Sequence, residues 1–264
     1  MRLKISHQTV YRYTQPASYS IQQLRLTPRA EPFCLVAHWH IAAPAKLSAF
    51  TDTFGNVAHT LVLKESHHEI CLNVEGEVLT DALAGGVLPA ESRPLPVGVF
   101  QVSTPLTEPN AAIVALGAGI SASTASASQV LELARSIQAQ VVYVPGSTQV
   151  HSTAAQALAQ AQGVCQDHAH LMLSACRAQG LPARYVSGYV DPGNSAHAAS
   201  HAWVDVWLGS AGHWISVDVT NGEFATDTHC RLAVGRDYDS AAPVRGVRRG
   251  GGVETMQVDV QVGQ

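Results

Sequence analysis

One cysteine in the second half of the chain stands where a nucleophile would be activated. Cys165 lies in the segment GVCQD at the first turn of an expected helix, and Gly163 before it lets the backbone bend sharply. The unpaired N–H groups and the positive dipole end of a helix N-terminus favour a thiolate, the nucleophilic form of cysteine. The backbone N–H of Cys165 could also donate to a developing oxyanion. The sequence therefore indicates acyl-transfer chemistry at this position.

A histidine and a carboxylate with matching positions follow the cysteine. A thiolate needs a histidine as base and acid, and the imidazole needs an acceptor that orients it. His201 begins the run HAWVDVWL, and Asp218 lies near the end of the run HWISVDV. If the two runs pair as a hairpin around 209–212, both side chains lie near one end of adjacent strands. We therefore predict a Cys165–His201–Asp218 triad, with the pKa of His201 raised above its ordinary value of about 6.5.

Three further residues are candidates for the oxyanion site or the substrate groove. Gln166 directly follows the nucleophile, and Tyr143 in the segment VVYVPGST could offer its hydroxyl as a second oxyanion donor. Trp203 shares a strand face with His201, because alternate residues of a strand point the same way. Each of the two aromatic residues has an equally ordinary interpretation as a core residue.

A metal site is the main chemical alternative on the same helix. Cys165, Asp167, His168 and His170 form a dense cluster of ligand-type side chains. Neighbouring residues of one helix point about 100° apart, so four residues within six cannot converge on one tetrahedral ion. We expect no metal and no other cofactor, and no acidic loop has the spacing of a calcium site.

The surrounding pattern predicts an α+β region that positions the triad. Apolar residues recur at helical spacing from Ser128, a second helix opens at 152–153 with a hydroxyl residue, and a third is expected over 165–179. Three strands are expected after the third helix, joined by turns at 191–194 and 209–212. A helix that leads into an antiparallel sheet would place the cysteine against the histidine-bearing strand.

The first hundred residues have the two-residue alternation of β-strands. Short runs rich in Val, Leu, Ile, Thr and Tyr are separated by Gly and Pro positions and by the segment DTFGN at 52–56. This spacing is typical of a β-sandwich. We therefore expect an N-terminal β-sandwich domain over 1–100 and a catalytic core over 101–264.

The motifs together resemble a known family. The segments GVCQDHAHLMLSACRAQGLPARYVSGYV, SHAWVDVWL and HWISVDVTNG, in this order, are similar to the core of the bacterial transglutaminase-like superfamily, and the tail RDYDSAAPVRGVRRGGG continues the similarity. The strands before them resemble the β-rich domain that precedes this core. The resemblance implies a papain-like fold with Cys165 as nucleophile, His201 as base and acid, and Asp218 as the residue that orients the imidazole. His168 stands where the family often has an aromatic residue.

Two outcomes and one alternative class of function follow from these residues. The thioester formed on Cys165 would be resolved by water, as in a peptidase or amidase, or by an amine, as in a transglutaminase, and triad geometry is common to both. The expected partner is a peptide or protein that carries an amide. The alternative is a non-catalytic interaction module on the same scaffold.

The composition of the chain restricts the classes of protein to which it can belong. With 264 residues, 46% of them hydrophobic and 14% charged, the chain has the composition of a folded globular protein. A net charge of −4 and one short basic run at 245–249 give no reason to expect nucleic-acid binding. No run reaches the ~18 apolar residues of a membrane span and no signal peptide is evident, so we expect no membrane partner and a cytoplasmic location. The five cysteines lack a disulfide pattern, and Cys176 is expected in the core.

Overall fold

The computed structural model of the chain describes residues 1–193 and 200–264, so the turn expected at 191–194 lies partly outside the described residues. The helices are α1 (Ala111–Leu116), α2 (Ala127–Gln140), α3 (Ala154–Gln160), α4 (Cys165–Ala178) and α5 (Tyr238–Ala241). The strands are β1 (Arg2–Leu24), β2 (Cys34–Ala42), β3 (Ser48–Thr51), β4 (Val57–Leu63), β5 (His67–Thr80), β6 (Val142–Tyr143), β7 (Gln162–Gly163), β8 (Ala183–Val190), β9 (Ser200–Leu208), β10 (His213–Asp218), β11 (Glu223–Phe224), β12 (His229–Gly235), β13 (Val244–Gly250) and β14 (Glu254–Gly263). None of the described helices has both the length and the apolar character that a bilayer crossing requires.

The N-terminal region, for which a β-sandwich is expected, is rich in strands and is built around one long strand. β1 pairs antiparallel with β5 and β14 along its first half, and with β4 and β13 along its second half. Its register shifts between Arg12 and Ala17, where the partners change. The resulting seven-stranded sheet has the order β2-β5-β1-β4-β3, with β13 and β14 also hydrogen-bonded to β1. Residues 244–263 thus join the N-terminal sheet, while the domain boundary near residue 100 remains a prediction.

The second region has the α+β organisation that the sequence predicts. Five antiparallel strands lie in the order β11-β10-β9-β8-β12, and α4 packs against β8 and β9. Leu171 and Leu173 of α4 share one hydrophobic core with Val204 and Val206 of β9, and Cys176 lies in this core as expected. Helices α1, α2 and α3 pack around α4.

Local signals define the helices and the hairpin that carry the candidate residues. Thr153 caps α3 with its hydroxyl, which accepts a hydrogen bond from the backbone N–H of Gln156, and the backbone N–H of Thr153 donates to Gln156 Oε1. α4 ends before Gly180, whose φ of +77° suits a glycine at a helix C-terminus. β9 and β10 form the expected hairpin, with His213 opposite Leu208 and Val217 opposite Val204.

The N-terminal sheet and the core are joined through both apolar and charged contacts. Tyr189, Cys230 and Leu232 of the core strands lie in the same hydrophobic cluster as the buried residues of the N-terminal sheet. Beside this cluster, Arg231 Nη1 donates to Asp205 Oδ1 at 2.9 Å, and the Arg231 guanidinium lies 3.1 Å from Glu31. The Asp205 carboxylate has no exposed surface, and the positive charges of Arg231 and Arg184 compensate its burial.

Asn56, which has no exposed surface, connects the two regions. Asn56 Nδ2 donates to the Val234 carbonyl at 2.8 Å and to Asp52 Oδ2 at 3.0 Å. Its Oδ1 accepts hydrogen bonds from the Val234 backbone N–H at 2.8 Å and from Arg29 Nη1 at 2.6 Å. Asn56 therefore completes the edge of β12, since it satisfies both backbone groups of one residue in that strand.

Replacement of Asn56 should destabilise the whole chain. In Asn56→Ala the two backbone groups of Val234 and the charges of Arg29 and Asp52 lose a partner at a site that water does not reach. The expected loss is about 2–4 kcal/mol of unfolding free energy, measured by urea denaturation. Asn73→Ala is the matched control, because Asn73 makes its hydrogen bond with Gln8 at the surface. Equal midpoints for the two variants would contradict this account of the interface.

Candidate active site

The start of α4 is arranged around the carboxylate of Asp167. Asp167 Oδ2 accepts a hydrogen bond from the backbone N–H of Val164 at 2.8 Å and another from the Thr148 hydroxyl at 2.6 Å. Burial raises the pKa of Asp167 in spite of these donors. A Cβ on Gly163 would lie 2.7 Å from Cβ of Asp167, so glycine is required for this close approach. Asp167 thus fixes the helix start immediately beside Cys165.

The structure brings the three residues of the predicted triad together. Cys165 is the first residue of α4 and is half-buried, His201 is the second residue of β9, and Asp218 is the last residue of β10. His201 Nε2 lies 2.8 Å from Asp218 Oδ2, and both side chains are almost fully buried. The Cys165 thiol lies close enough to His201 to interact with the imidazole electrostatically. Because Nε2 is engaged with Asp218, the nitrogen that remains for the thiol is Nδ1.

The electrostatics of the site favour a protonated imidazole. Burial alone would lower the pKa of His201, but the charge and hydrogen bond of Asp218, together with the interaction with Cys165, outweigh it and raise the pKa to about 10. Burial would likewise raise the pKa of Asp218, yet His201 and His229 hold it far below its ordinary value. The site therefore stabilises an ion pair between an imidazolium and a carboxylate.

Asp218 has two further partners, which sequence reasoning missed. Asn221 donates to Asp218 from its side-chain Nδ2 at 2.7 Å and from its backbone N–H at 3.2 Å. His229, the first residue of β12, places Nε2 at 3.1 Å from Asp218 Oδ2. The TNG turn after Asp218 offered a signal for Asn221, because asparagine often bonds to nearby groups in turns. His229 belongs to no local motif, and only the fold brings it to the site.

The hydrogen bonds of His229 define its tautomer. The backbone N–H of Thr226 donates to His229 Nδ1 at 3.2 Å, and the Thr228 hydroxyl lies 3.0 Å from the same nitrogen. A nitrogen that accepts from a backbone N–H carries no proton, so the proton of the neutral ring is on Nε2. His229 therefore donates its N–H to the Asp218 carboxylate.

The tautomer of His229 argues against a metal ion held by His201, Asp218 and His229. In the described part of the chain, these three form the one group of ligand-type side chains close enough together to share an ion. Ligand atoms of His201, Asp218 and His229 lie within 4.8 Å of one another. Metal coordination needs a lone pair on the nitrogen that faces the ion. His229 Nε2 carries a proton. If that proton moved to Nδ1, it would face the proton of the Thr226 N–H, and the hydrogen bond between them would be lost. The three residues fit a hydrogen-bonded cluster better than a metal site.

The four residues of the alternative metal cluster on α4 have separate partners. His168 Nε2 lies 2.9 Å from the Val141 carbonyl and its Nδ1 lies 3.0 Å from the Thr220 hydroxyl. His170 Nε2 accepts a hydrogen bond from the backbone N–H of Tyr238 at 3.1 Å. Burial lowers the pKa of both histidines, that of His170 to about 4. Both rings therefore act as neutral hydrogen-bonding groups that hold α4 to neighbouring segments.

The three secondary candidates lie around the triad in different roles. Tyr143 is on β6, opposite Gly163 of β7, and its ring centroid is 6.4 Å from that of His168. Gln166 Nε2 donates to the Val150 carbonyl at 2.9 Å. Trp203 has no exposed surface; its ring stacks on His201 at 6.1 Å, and its Nε1 donates to the Ser216 hydroxyl at 3.0 Å. Tyr143 and Gln166 border the start of α4, whereas Trp203 packs behind His201.

Two tyrosines near the nucleophile were also missed by sequence reasoning. Tyr185 on β8 and Tyr238 on α5 have ring centroids 6.3 Å apart in an edge-to-face arrangement. Burial is the main cause that raises the pKa of each hydroxyl, and the nearby Cys165 adds to the effect on both. Tyr238 and Cys165 both pack against the border of the same core cluster. These two rings thus form part of the surroundings of the thiol.

Comparison with known proteins gives the family. Residues 114–219 match the transglutaminase-like superfamily, and residues 3–79 match the bacterial transglutaminase-like N-terminal region. An uncharacterized protein of Mycobacterium leprae is 34% identical over 99% of this chain and 98% of its own length. An uncharacterized protein of Mycobacterium tuberculosis is 28% identical over 93% of this chain and 87% of its own. The chain belongs to the transglutaminase-like superfamily, as its motifs predicted.

A solved structure supports the fold. The crystal structure of a candidate cysteine protease from Cytophaga hutchinsonii has a TM-score of 0.78, with 21% identity, and the match covers 100% of this chain and 90% of the other. The whole architecture, including the N-terminal strands, is therefore shared with that protein. The α+β class with a transglutaminase-like core is confirmed.

The pKa of His201 provides a direct check of the ion pair. Because it exceeds the ordinary value of about 6.5, the protonated ring stabilises the fold fully below pH ~6.5, and this contribution is lost as the pH rises through about 10. NMR titration of labelled histidine should show a midpoint for His201 near pH 10. In Asp218→Asn the midpoint should fall to about 6.5 or lower, since burial then dominates. A midpoint near 6.5 in the parent protein would refute the pairing.

Proposed function

We propose that this protein is a cysteine-dependent acyl-transfer enzyme that forms a thioester on Cys165 from an amide or peptide substrate. The observation that carries the proposal is the buried His201–Asp218 pair at 2.8 Å, whose imidazole interacts with a cysteine at a helix N-terminus. Membership of the transglutaminase-like superfamily supports a cysteine enzyme in general. A scaffold without catalysis has no need for this set of contacts.

The first half of the reaction uses the groups at the start of α4. The Cys165 thiolate attacks the carbonyl carbon of the amide, and the electron pair of the C=O bond moves to oxygen. The backbone N–H of Cys165 is one donor for this oxyanion, and Tyr143 is a candidate for the second. When the tetrahedral intermediate collapses, the imidazolium of His201 gives its proton to the departing nitrogen. The products are a thioester on Cys165 and an amine or ammonia.

The second half of the reaction returns the free enzyme. Neutral His201 takes a proton from a water molecule or from a second amine as that nucleophile attacks the thioester carbonyl. The C–S bond breaks, and Cys165 leaves as a thiolate beside the imidazolium. Water as the nucleophile gives hydrolysis, and an amine gives a transferase; the triad serves both. The reaction needs no cofactor, since every proton transfer is made by His201.

The environment of the imidazole suits its two roles. Trp203 lies against the His201 ring, and the triad carboxylate has no exposed surface. Exclusion of water strengthens the attraction between His201 and Asp218, because the local dielectric constant is lower than that of water. The pair therefore keeps one orientation throughout the cycle. The cytoplasmic location, and the expectation of neither nucleic-acid nor membrane partners, remain predictions from composition.

The reaction can be tested with a glutaminyl peptide and a labelled primary amine. Mass spectrometry of the intact protein after rapid acid quenching should show an acyl adduct, and peptide mapping should place it on Cys165. Amine incorporated into the peptide indicates transfer, and free acid or cleaved peptide indicates hydrolysis. In Cys165→Ala no adduct should form, and the rate of product formation should fall by at least about 1,000-fold, since the nucleophile is lost. Cys71→Ala is the control, because Cys71 lies on β5 of the N-terminal sheet.

The same preparation distinguishes an enzyme from an interaction module. With iodoacetamide at pH 6, Cys165 should react faster than the other four cysteines, because the imidazolium stabilises its thiolate. Retained turnover in Cys165→Ala would refute the assignment of the nucleophile. Uniformly slow labelling of all five cysteines, together with no adduct and no product, would favour the module.

His229 should act as a positioning residue through Asp218. In His229→Leu the carboxylate loses one N–H donor, and the expected result is a fall in kcat of about 10- to 100-fold with little change in KM. His229→Gln should recover most of the rate, since its Nε2 can still donate to Asp218. His213→Leu, at the opposite end of the β9–β10 hairpin, is the control. If the leucine and glutamine variants have equal kcat, the hydrogen bond to Asp218 has no positioning role.

A further inference from the structure

Two buried cysteines meet where the N-terminal sheet contacts the core. Cys34 is the first residue of β2, and Cys230 is the second residue of β12. Their exposed fractions are 5% and 0%, and both belong to the cluster that joins the two regions. The two thiols lie close enough for each to influence the ionisation of the other. Neither residue takes part in the proposed acyl transfer.

The backbone on both sides of this thiol pair is held in place. The N–H of Arg29 donates to the carbonyl of Arg231 at 3.1 Å, and the Glu31 carboxylate lies 3.1 Å from the Arg231 guanidinium. The N–H of Cys34 donates in turn to the carbonyl of Glu31 at 3.0 Å. These contacts hold the segment before Cys34 against Arg231, the residue that follows Cys230.

Cys34 borders a cleft, whereas Cys230 does not. Cys34 lines a cleft of about 860 Å³, whose other walls include Phe33, Glu91 and Arg93. A volume of this size accommodates a small peptide-like molecule. Cys230 does not line the cleft, so a reagent in the cleft meets Cys34 first.

The charges around the pair favour the same order of reaction. The interaction with Cys230 lowers the pKa of Cys34, and the Arg231 guanidinium adds to this effect against the opposing influence of burial. The pKa of Cys230 is raised, because it interacts with Cys34 and is fully buried. Cys34 therefore ionises first, and Cys230 follows only when Cys34 has reacted.

We propose that Cys34 and Cys230 are a reversible dithiol–disulfide pair, oxidised through the cleft by a low-molecular-weight disulfide. The Cys34 thiolate attacks one sulfur of the small disulfide, forms a mixed disulfide and releases one thiolate. Cys230 then loses its proton, and its sulfur attacks the Cys34 sulfur and displaces the second small thiolate. The protein loses two electrons and two protons, and the small disulfide becomes two thiols.

The cross-link would join the two regions of the chain covalently. It connects β2 of the N-terminal sheet to β12, whose first residue, His229, bonds to Asp218. A disulfide between residues so far apart in the sequence restricts the unfolded chain strongly, so the oxidised protein should resist urea better than the reduced protein. The site is thus a modification site for redox conditions, separate from the thiol of Cys165.

The full-length reduced protein can be tested in buffers with graded ratios of oxidised to reduced glutathione. After alkylation of the remaining thiols and proteolysis without reductant, mass spectrometry should detect a peptide pair that links Cys34 to Cys230. Dithiothreitol should reverse the link, and the urea midpoint should be higher for the oxidised form. No link between the two cysteines at the most oxidising ratio, or an unchanged midpoint after linkage, would overturn the proposal.

Two cysteine variants test whether the cross-link forms specifically between Cys34 and Cys230. In Cys230→Ala the reaction should stop at a mixed disulfide of Cys34 with glutathione, since the resolving thiol is missing. Cys71→Ala should leave the cross-link unchanged, because Cys71 is not among the residues that line the cleft. Absence of glutathione from Cys34 in a folded Cys230→Ala protein would show that the cleft does not give access to it. These measurements use no turnover, so their outcome is independent of the proposed acyl transfer.

Discussion

The buried carboxylate of Asp218 needs hydrogen-bond donors, and the rest of the site is arranged to provide them. A carboxylate without access to water is costly unless donors surround it, and Asp218 has donors from His201, Asn221 and His229. These donors come from β9, from the turn after β10 and from β12, so the carboxylate fixes three parts of the sheet relative to one another. The orientation of His201 toward the start of α4 follows from this arrangement.

Strand β12 connects the surroundings of Asp218 to the N-terminal region. Its first residue bonds to Asp218, and two residues later Arg231 pairs with Asp205 of β9 and with Glu31 of the N-terminal segment. Asn56 then binds both backbone groups of Val234 in the same strand. Arg231 and Val234 of β12 therefore each have a polar partner in the N-terminal region. The N-terminal region is therefore part of the structural support of the site, in addition to any role in binding substrate.

The local features of the site could be predicted from the sequence, because local patterns determine them. Cys165 follows from a helix-start signal, and the approach of His201 to Asp218 follows from one hairpin with a short turn. His229 and Asn56 could not be predicted, since single polar residues without a periodic pattern acquire a role only when distant strands meet. The position of Trp203 shows the same limit: strand alternation identifies its face, but it does not say which element covers that face.

The arrangement of β1 has a consequence for the order in which the protein can be made. Ribosomal synthesis produces β1 long before two of its four partner strands, β13 and β14. During translation, one side of β1 therefore has no hydrogen-bonding partner, and an unpaired strand edge invites association with other chains. The N-terminal sheet can be completed only after β13 and β14 have been synthesised, and pairing between strands so far apart in the sequence is slow to form. The nascent chain thus needs protection of that edge until β13 and β14 have been synthesised.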